Sequence, residues 1–298
     1  MQKDDVTLCV TVLREEEKRI VKYLHEFGFR VNIVTDSKKL EVVNSDFEEK
    51  QVVFIRCLSQ SSALKRATLC EMLGLDVINS KRAIEICTNK IYQAILFKRF
   101  NIPEPRYEVV FNSDDFYKLF EKFNGCFVVK PSSSSWGRGI ARITSKECLD
   151  VWLAGRESLD PGEKSFPILV QEFVDKGDYD IRVVVVGDTP IVSFKRVSKD
   201  NWKTNTHLGA EVEPIEVNEE IKEICQKIIA VLGEGIYGID LFYDNTRKCY
   251  LVCEVNQNPE FAHSWKIHGV DVAYYIAKYI SKRILMIGDG HALKREVV

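Results

Sequence analysis

One stretch near the C-terminus constrains this chain more than any other: Gly238-Ile239-Asp240-Leu241-Phe242-Tyr243, five polar residues, then Cys249-Tyr250-Leu251-Val252-Cys253-Glu254-Val255-Asn256. Both runs alternate apolar residues at period two around Asp244 to Lys248, which predicts an antiparallel hairpin inside a sheet. On that period Glu254 and Asn256 share one face of their strand, and Asp240 faces them from its neighbour. Two carboxylates and an amide oxygen then converge. Oxygen-only sets of this kind suit Mg²⁺, a hard cation that keeps several waters and shares its remaining positions with phosphates. Taken singly, Asp240 or Glu254 reads as a strand carboxylate satisfied by a lysine or by backbone. Taken together, charges inside apolar strands are costly unless paired or metal-bound, and the set points to function.

The rest of the composition narrows the classes. The 298 residues supply two or three domains, and 45% hydrophobic with 29% charged residues is the balance of a soluble globular protein. A net charge of -2 excludes bulk attraction to nucleic acid or to an anionic membrane. Met1-Gln2-Lys3-Asp4-Asp5 lacks the basic start and apolar core of a signal peptide, and no run reaches the length of a membrane span. A cytoplasmic location is expected. The nine cysteines are odd in number, scattered and free of CxxC pairs, so reduced buried thiols are expected rather than zinc. Cys249 and Cys253 are expected on one strand face.

In chain order, Val6 to Val12, Val31 to Val34 and Gln51 to Arg56 read as strands, with helices over Arg14 to Phe27 and Ala63 to Leu73, each stopped by a glycine. This is a small βαβ layer. Arg56-Cys57-Leu58-Ser59-Gln60-Ser61 follows an apolar strand, where open α/β sheets bind ligands; as the cap of the next helix it would look the same. Ser80 caps a helical run holding Lys90, which the prolines 103 and 105 end. Strands follow at Tyr107 to Phe111 and Cys126 to Pro131, around a helix capped by Ser113.

Next comes Ser132-Ser133-Ser134-Ser135-Trp136-Gly137-Arg138-Gly139, joining Lys130-Pro131 to the strand Ile140 to Ile143. Backbone N–H groups, hydroxyls and a guanidinium in such a loop can wrap phosphate, although a flexible hairpin tip has the same composition. It is not a P-loop, because GxxxxGK[ST] is absent. Ile168 to Val174 is a strand, and Asp180 to Val186 pairs through Gly187-Asp188 with Ile191 to Arg196. Arg182, Lys195 and Arg196 are charges inside strands. Asn201 to Gly209 is irregular, Asn218 caps a helix with Ile221, Ile224, Ile228 and Leu232 on one stripe, and Val270 to Ile284 is a last amphipathic helix.

The ordered string Lys90, Lys130 with its Ser/Gly loop, Gln171-Glu172, Asp180-Ile181-Arg182, Asn205, Asp240 and Glu254-Val255-Asn256 resembles the ATP-grasp superfamily, specifically its RimK-like ligases. The likeness covers the chain up to the tail, and within that group it is nearest to the LysX and ArgX ligases. The resemblance implies an α/β ATP-grasp fold: an N-terminal preATP-grasp layer over 1–88, ATP-grasp subdomains over 89–167 and 168–284, and a peripheral tail over 285–298. It implies Lys90 and Lys130 on ATP phosphates and the loop with Ser134, Ser135, Trp136, Gly137 and Arg138 closing over them. Gln171, Glu172, Phe173 and Val174 would seat adenine, with Asp180 beside the nucleotide. Asp240, Glu254 and Asn256 would hold Mg²⁺, and Arg182, Arg196 and Asn205 would surround the phosphoryl group. Arg56, Ser59 and Ser264 would meet substrate.

The activity so implied is amide formation through an acyl phosphate. It would join α-aminoadipate or glutamate to the C-terminal glutamate of a small acidic, LysW-like carrier protein in lysine or arginine biosynthesis. The resemblance further implies assembly as a homodimer or homotetramer. Phosphoryl transfer is mostly positioning and charge stabilisation, so no Ser/His or Cys/His nucleophile is required. Three departures stand out: Ser134 where the family usually places Gly, Ala210 where a second Gly is usual, and Ser264-Trp265, which matches half of the aminoadipate pattern and half of the glutamate pattern. The choice of amino acid stays open. The alternatives are a RimK-type glutamate ligase acting on a ribosomal protein or a cofactor, and an ATP-binding sensor without turnover.

Overall fold

The computed structural model describes residues 5–35, 51–134, 137–159, 166–198, 202–204, 211–262 and 264–295, with backbone only at 159 and 288–295. The strands β1 (Val6–Val10), β2 (Val31–Thr35), β3 (Val52–Arg56) and β4 (Asp76–Ile78) form a parallel sheet in the order β2-β1-β3-β4. Both outer connections run through helices, α1 (Glu15–Glu26) after β1 and α2 (Gln60–Met72) after β3. Parallel strands need such crossovers. The short strand β4 was not expected from the sequence, since three residues carry almost no periodicity.

The expected helical run around Lys90 is two helices, α3 (Lys81–Cys87) and α4 (Lys90–Arg99). Ser80 caps the first through Ala83 N, and Asn89 caps the second through Ile91 N and Tyr92 N. That second cap makes Lys90 the first residue of its helix, at the end where orphan N–H groups favour anions. Beyond it lie β5 (Tyr107–Val110), α5 (Phe116–Lys122), β6 (Phe127–Pro131), β7 (Ala141–Ile143), α6 (Lys146–Leu159) and β8 (Ile168–Glu172). The strands pair antiparallel in the order β5-β8-β6-β7. Two expectations are corrected here. Asp115, not Ser113, is the N-cap position of α5, and the strand at 168 ends at Glu172 rather than Val174. The helix α6 was missed, although Leu149, Trp152 and Leu153 pack on this sheet at helical spacing.

The third sheet has the order β11-β10-β9-β12-β13, with β9 (Tyr179–Gly187), β10 (Thr189–Val197), β11 (Glu211–Ile215), β12 (Gly235–Asp244) and β13 (Cys249–Asn256). The hairpin of β12 and β13 is antiparallel with Asp240 opposite Glu254. α7 (Glu219–Leu232), capped by Asn218 through Ile221 N, buries Ile221, Ile224, Ile228 and Leu232 against one face. The other face meets the N-terminal sheet and α9 (Val272–Arg295) through Val184, Phe194, Leu8 and Ile276. This helix follows the short α8 (Ser264–Ile267) and runs past the Ile284 end expected for it. No helix among the described residues is long and apolar enough to cross a membrane.

Candidate active site

Three backbone features build one cleft. The hairpin supplies Asp240 and Glu254, the paired strands β9 and β10 supply Asp180, Arg182 and Arg196, and β6 supplies Lys130. A register shift between Asp240 and Leu241 leaves Cys253 as an extra residue on β13, so Cys253 and Glu254 both reach the cleft. The bulge therefore takes Cys253 out of the simple alternation that was expected to place it with Cys249. The cleft is open on one side and is lined by Lys130, Ser134, Gly137, Lys176, Asp180, Arg196, Thr204, Asp240, Phe242 and Glu254, among others.

Charge pairing inside it is dense. Arg182 grips Asp240 with two bonds, Nε to Oδ1 and Nη2 to Oδ2, both 2.7 Å, and Arg196 Nη2 lies 3.1 Å from Oδ2. Arg196 also grips Asp180 at 2.6 and 2.8 Å, and Thr204 Oγ1 donates to the same carboxylate at 2.5 Å. Burial alone would raise the Asp240 carboxyl, but Arg182 and Arg196 outweigh it and hold it below the ordinary carboxylate value. Glu254 behaves likewise: burial raises it, and Lys90, with Nζ 3.5 Å from Oε2, leads the groups that bring it down. Both carboxylates are thus held ionised.

Asn256 Nδ2 donates to Glu254 Oε1 at 3.2 Å and to Asp240 Oδ2 at 3.4 Å, so the three side chains expected to hold a cation do meet. Among the described residues no group of three His, Cys, Asp or Glu gathers for a metal. Two carboxylates and an amide, short of a full protein cage, fit Mg²⁺, which retains waters and takes phosphate oxygens.

The loop before β7 lies over this cleft. Lys90 Nζ donates to Ser134 O at 2.6 Å, and Lys203 Nζ to Ile140 O at 2.7 Å. Gly137 and Gly139 have φ of +69° and +70°, and a Cβ on Gly139 would sit 2.9 Å from Pro131 Cγ. Arg138 is exposed, whereas Ser135, Trp136 and Asn205 lie outside the described residues. Beside the cleft, a recess is walled by Pro105, Val128, Gln171, Glu172, Phe173, Val174, Trp202 and Phe242, with Lys130 and Lys176 at its border, a largely apolar slot suited to an aromatic ring. The Glu172 carboxylate faces away to Arg106 and Arg247, which leaves the strand's end to the recess.

Three expected substrate residues are placed elsewhere. Arg56 is 1% exposed and fully committed: Nη1 donates to Pro259 O at 2.9 Å, Nε to Glu17 Oε1 at 3.0 Å and Nη2 to Glu16 Oε2 at 3.3 Å. As placed it ties elements together and offers nothing to solute. Ser59 caps α2 through Ser62 N on a shallow surface hollow, and Ser264 opens α8 fully buried. Sequence reasoning missed Lys176, whose Nζ donates to Tyr179 O and Thr204 Oγ1 and whose burial lowers its pKa. It also missed Phe242, although that residue stands two positions from Asp240 on the same strand and shares its face.

Comparison with known proteins accounts for this layout. Residues 6–86 match the LysX preATP-grasp domain, and residues 87–280 match the RimK-like ATP-grasp domain. The α-aminoadipate–LysW ligase LysX of Saccharolobus solfataricus is 32% identical over 88% of this chain and 96% of its own length. The glutamate–LysW ligase ArgX of Sulfolobus acidocaldarius is 28% identical over 94% of this chain and 99% of its own. The crystal structure of a RimK domain ATP-grasp protein from Sphaerobacter thermophilus superposes with a TM-score of 0.75 at 20% identity, over 92% of this chain and 98% of that one. Cleft, flap and hairpin all lie within the RimK-like match, and the chain belongs to the RimK-like ATP-grasp ligases, fronted by a LysX-type preATP-grasp domain.

Proposed function

We propose that this protein is an ATP-dependent ligase that joins α-aminoadipate, or glutamate, to the C-terminal glutamate of a LysW-like carrier protein. The observation that carries the reading is the cleft in which Lys130, Lys176 and Arg196 face the ionised pair Asp240 and Glu254 beneath a Ser/Gly flap. A cationic rim over a carboxylate pair suits a magnesium nucleotide, and the apolar slot beside it suits adenine. Identity of 32% to LysX against 28% to ArgX favours α-aminoadipate as the amine donor.

Chemistry follows from placement. The carrier carboxylate attacks the γ-phosphate of ATP and forms an acyl phosphate with release of ADP; the amine of the amino acid then attacks the acyl carbon and phosphate leaves. Mg²⁺ on Asp240, Glu254 and Asn256 would neutralise phosphate charge. Lys90 and Lys130 draw the phosphates in, Arg182 and Arg196 offset charge on the transferred group, and the flap excludes water. Such work needs positioned charge and no side-chain nucleophile.

The test is ADP release with magnesium ATP, LysW and either amino acid, followed by the intact mass of LysW. A gain of one aminoadipyl or glutamyl residue supports the reading and selects the donor. ADP release with an unmodified carrier would overturn the carrier assignment and direct the search to other glutamate acceptors.

A further inference from the structure

Behind Lys90 and Lys130 lies a second, narrow recess, lined by Lys90, Gln93, Ala94, Phe97, Glu104, Leu169, Gln171 and Cys253. Cys253 also lines the main cleft, and its sulfur is 3.8 Å from Lys130 Nζ, so the two spaces share a wall that carries the lysine. Glu104 comes from the tight Pro103-Glu104-Pro105 link between α4 and β5, and its Oε2 is buried without a hydrogen-bond partner. A carboxylate oxygen left in that state is costly unless the group is neutral.

Resting on the nucleotide reading above, we propose that Glu104 is a positioning residue for the nucleotide lysines. As a neutral acid it leaves the Lys130 charge to the phosphates; as a carboxylate it draws Lys130 back and adds a negative charge behind them. Burial pushes the Glu104 carboxyl up to about 8, with Lys98 and Lys130 opposing. The groups that face it are Lys90 and Lys98 from α4, Lys130 from β6, Tyr107 from β5, and Gln171 and Cys253 across the cavity. None of them is a carboxylate, so within this cavity Glu104 alone changes from neutral to negative near neutral pH.

The site therefore ties ATP affinity to pH on the alkaline side. In the wild-type chain, calorimetric Kd for the non-hydrolysable analogue AMP-PNP with Mg²⁺ should rise about tenfold between pH 7 and 9, the effect of roughly one pairwise charge interaction at partly buried range. Glu104→Gln keeps size and polarity but cannot ionise, and the tenfold rise in Kd over that range should be lost. Glu104→Asp should restore the inflection. Melting curves of each variant establish that it is folded, and Glu104→Met serves the same comparison if the glutamine variant is not. A Glu104→Gln profile that rises in parallel with the wild type overturns the proposal. Wild-type chain that binds no AMP-PNP at pH 7 overturns the nucleotide reading instead, so the two failures are distinct.

Discussion

Asp240 shows how much one residue carries. It is 3% exposed, opposes Glu254 across the hairpin and accepts from two arginines and an asparagine. The two guanidiniums balance its charge. Asp240→Asn keeps the volume, removes one negative charge and leaves Arg182 and Arg196 sharing a neutral amide. Binding of magnesium AMP-PNP should weaken by about 2 kcal/mol or more, the scale of a lost charge-assisted interaction in a buried site. Calorimetry reads this directly, and affinity equal to the wild type would remove Asp240 from the cation site. Asp240, Glu254 and Asn256 were legible in the sequence because charge at period two in an apolar strand has few structural uses. Lys176 was not legible: a lone lysine before a glycine has the look of a solvated turn, and only folding brings it to Thr204 and Phe242.

At the scale of elements, the flap and its flanking strands border the cleft. β6 and β7 pair antiparallel, as the sequence of the two apolar runs around Ser132 to Gly139 implied. Gly139 turns the chain at φ +70° directly against Pro131, a conformation that costs any side-chain-bearing residue. Gly139→Ala should strain the hinge by about 1 kcal/mol or more. Because the strain falls on the flap's base, nucleotide affinity and kcat should drop several-fold while the melting temperature moves little. A variant with wild-type nucleotide affinity would separate the hinge from the site. The split between α3 and α4 was not legible, because Asn89 caps only once its side chain folds onto Ile91 N, while the apolar pattern runs on without a break.

For the whole molecule, the decisive feature is how the N-terminal layer holds the segment that leaves the hairpin. Arg56 from β3 and Glu16 from α1 bind Pro259 O and Phe261 N, and Asn79 brackets Ile236 and Gln257 with its amide. These bonds fix the chain on either side of the carboxylate pair. Burial raises the Glu17 carboxyl, but Arg56 and Arg14 outweigh it and leave it below the ordinary value. A carboxyl whose folded pKa is depressed contributes stability that is present above its unfolded pKa and lost as pH falls through the folded one. Thermal melts of the wild type should therefore fall on the acid side of about pH 4.5, and Glu17→Gln should flatten that limb. An unchanged acid limb would show that this network does not set acid stability.

The sequence by itself determined the alternation of strands and helices, the hairpin and its charged face, and the glycine-bearing flap, because these follow from local periodicity and backbone preference. It also carried the family, through ordered residues that no single motif would supply. Only the tertiary structure decided which charges meet. Arg56 resembled a ligand residue at the end of a strand, and the approach of α1 and of the segment after Asn256 made it a buried tie instead. Arg182 and Asp240, 58 positions apart, became partners because β9 and β12 are neighbours in register. Pairing between strands far apart in sequence depends on distances that local sequence does not encode, so Asp240, Glu254 and Asn256 were readable one by one, and the contacts of Arg182, Arg196 and Lys176 were not.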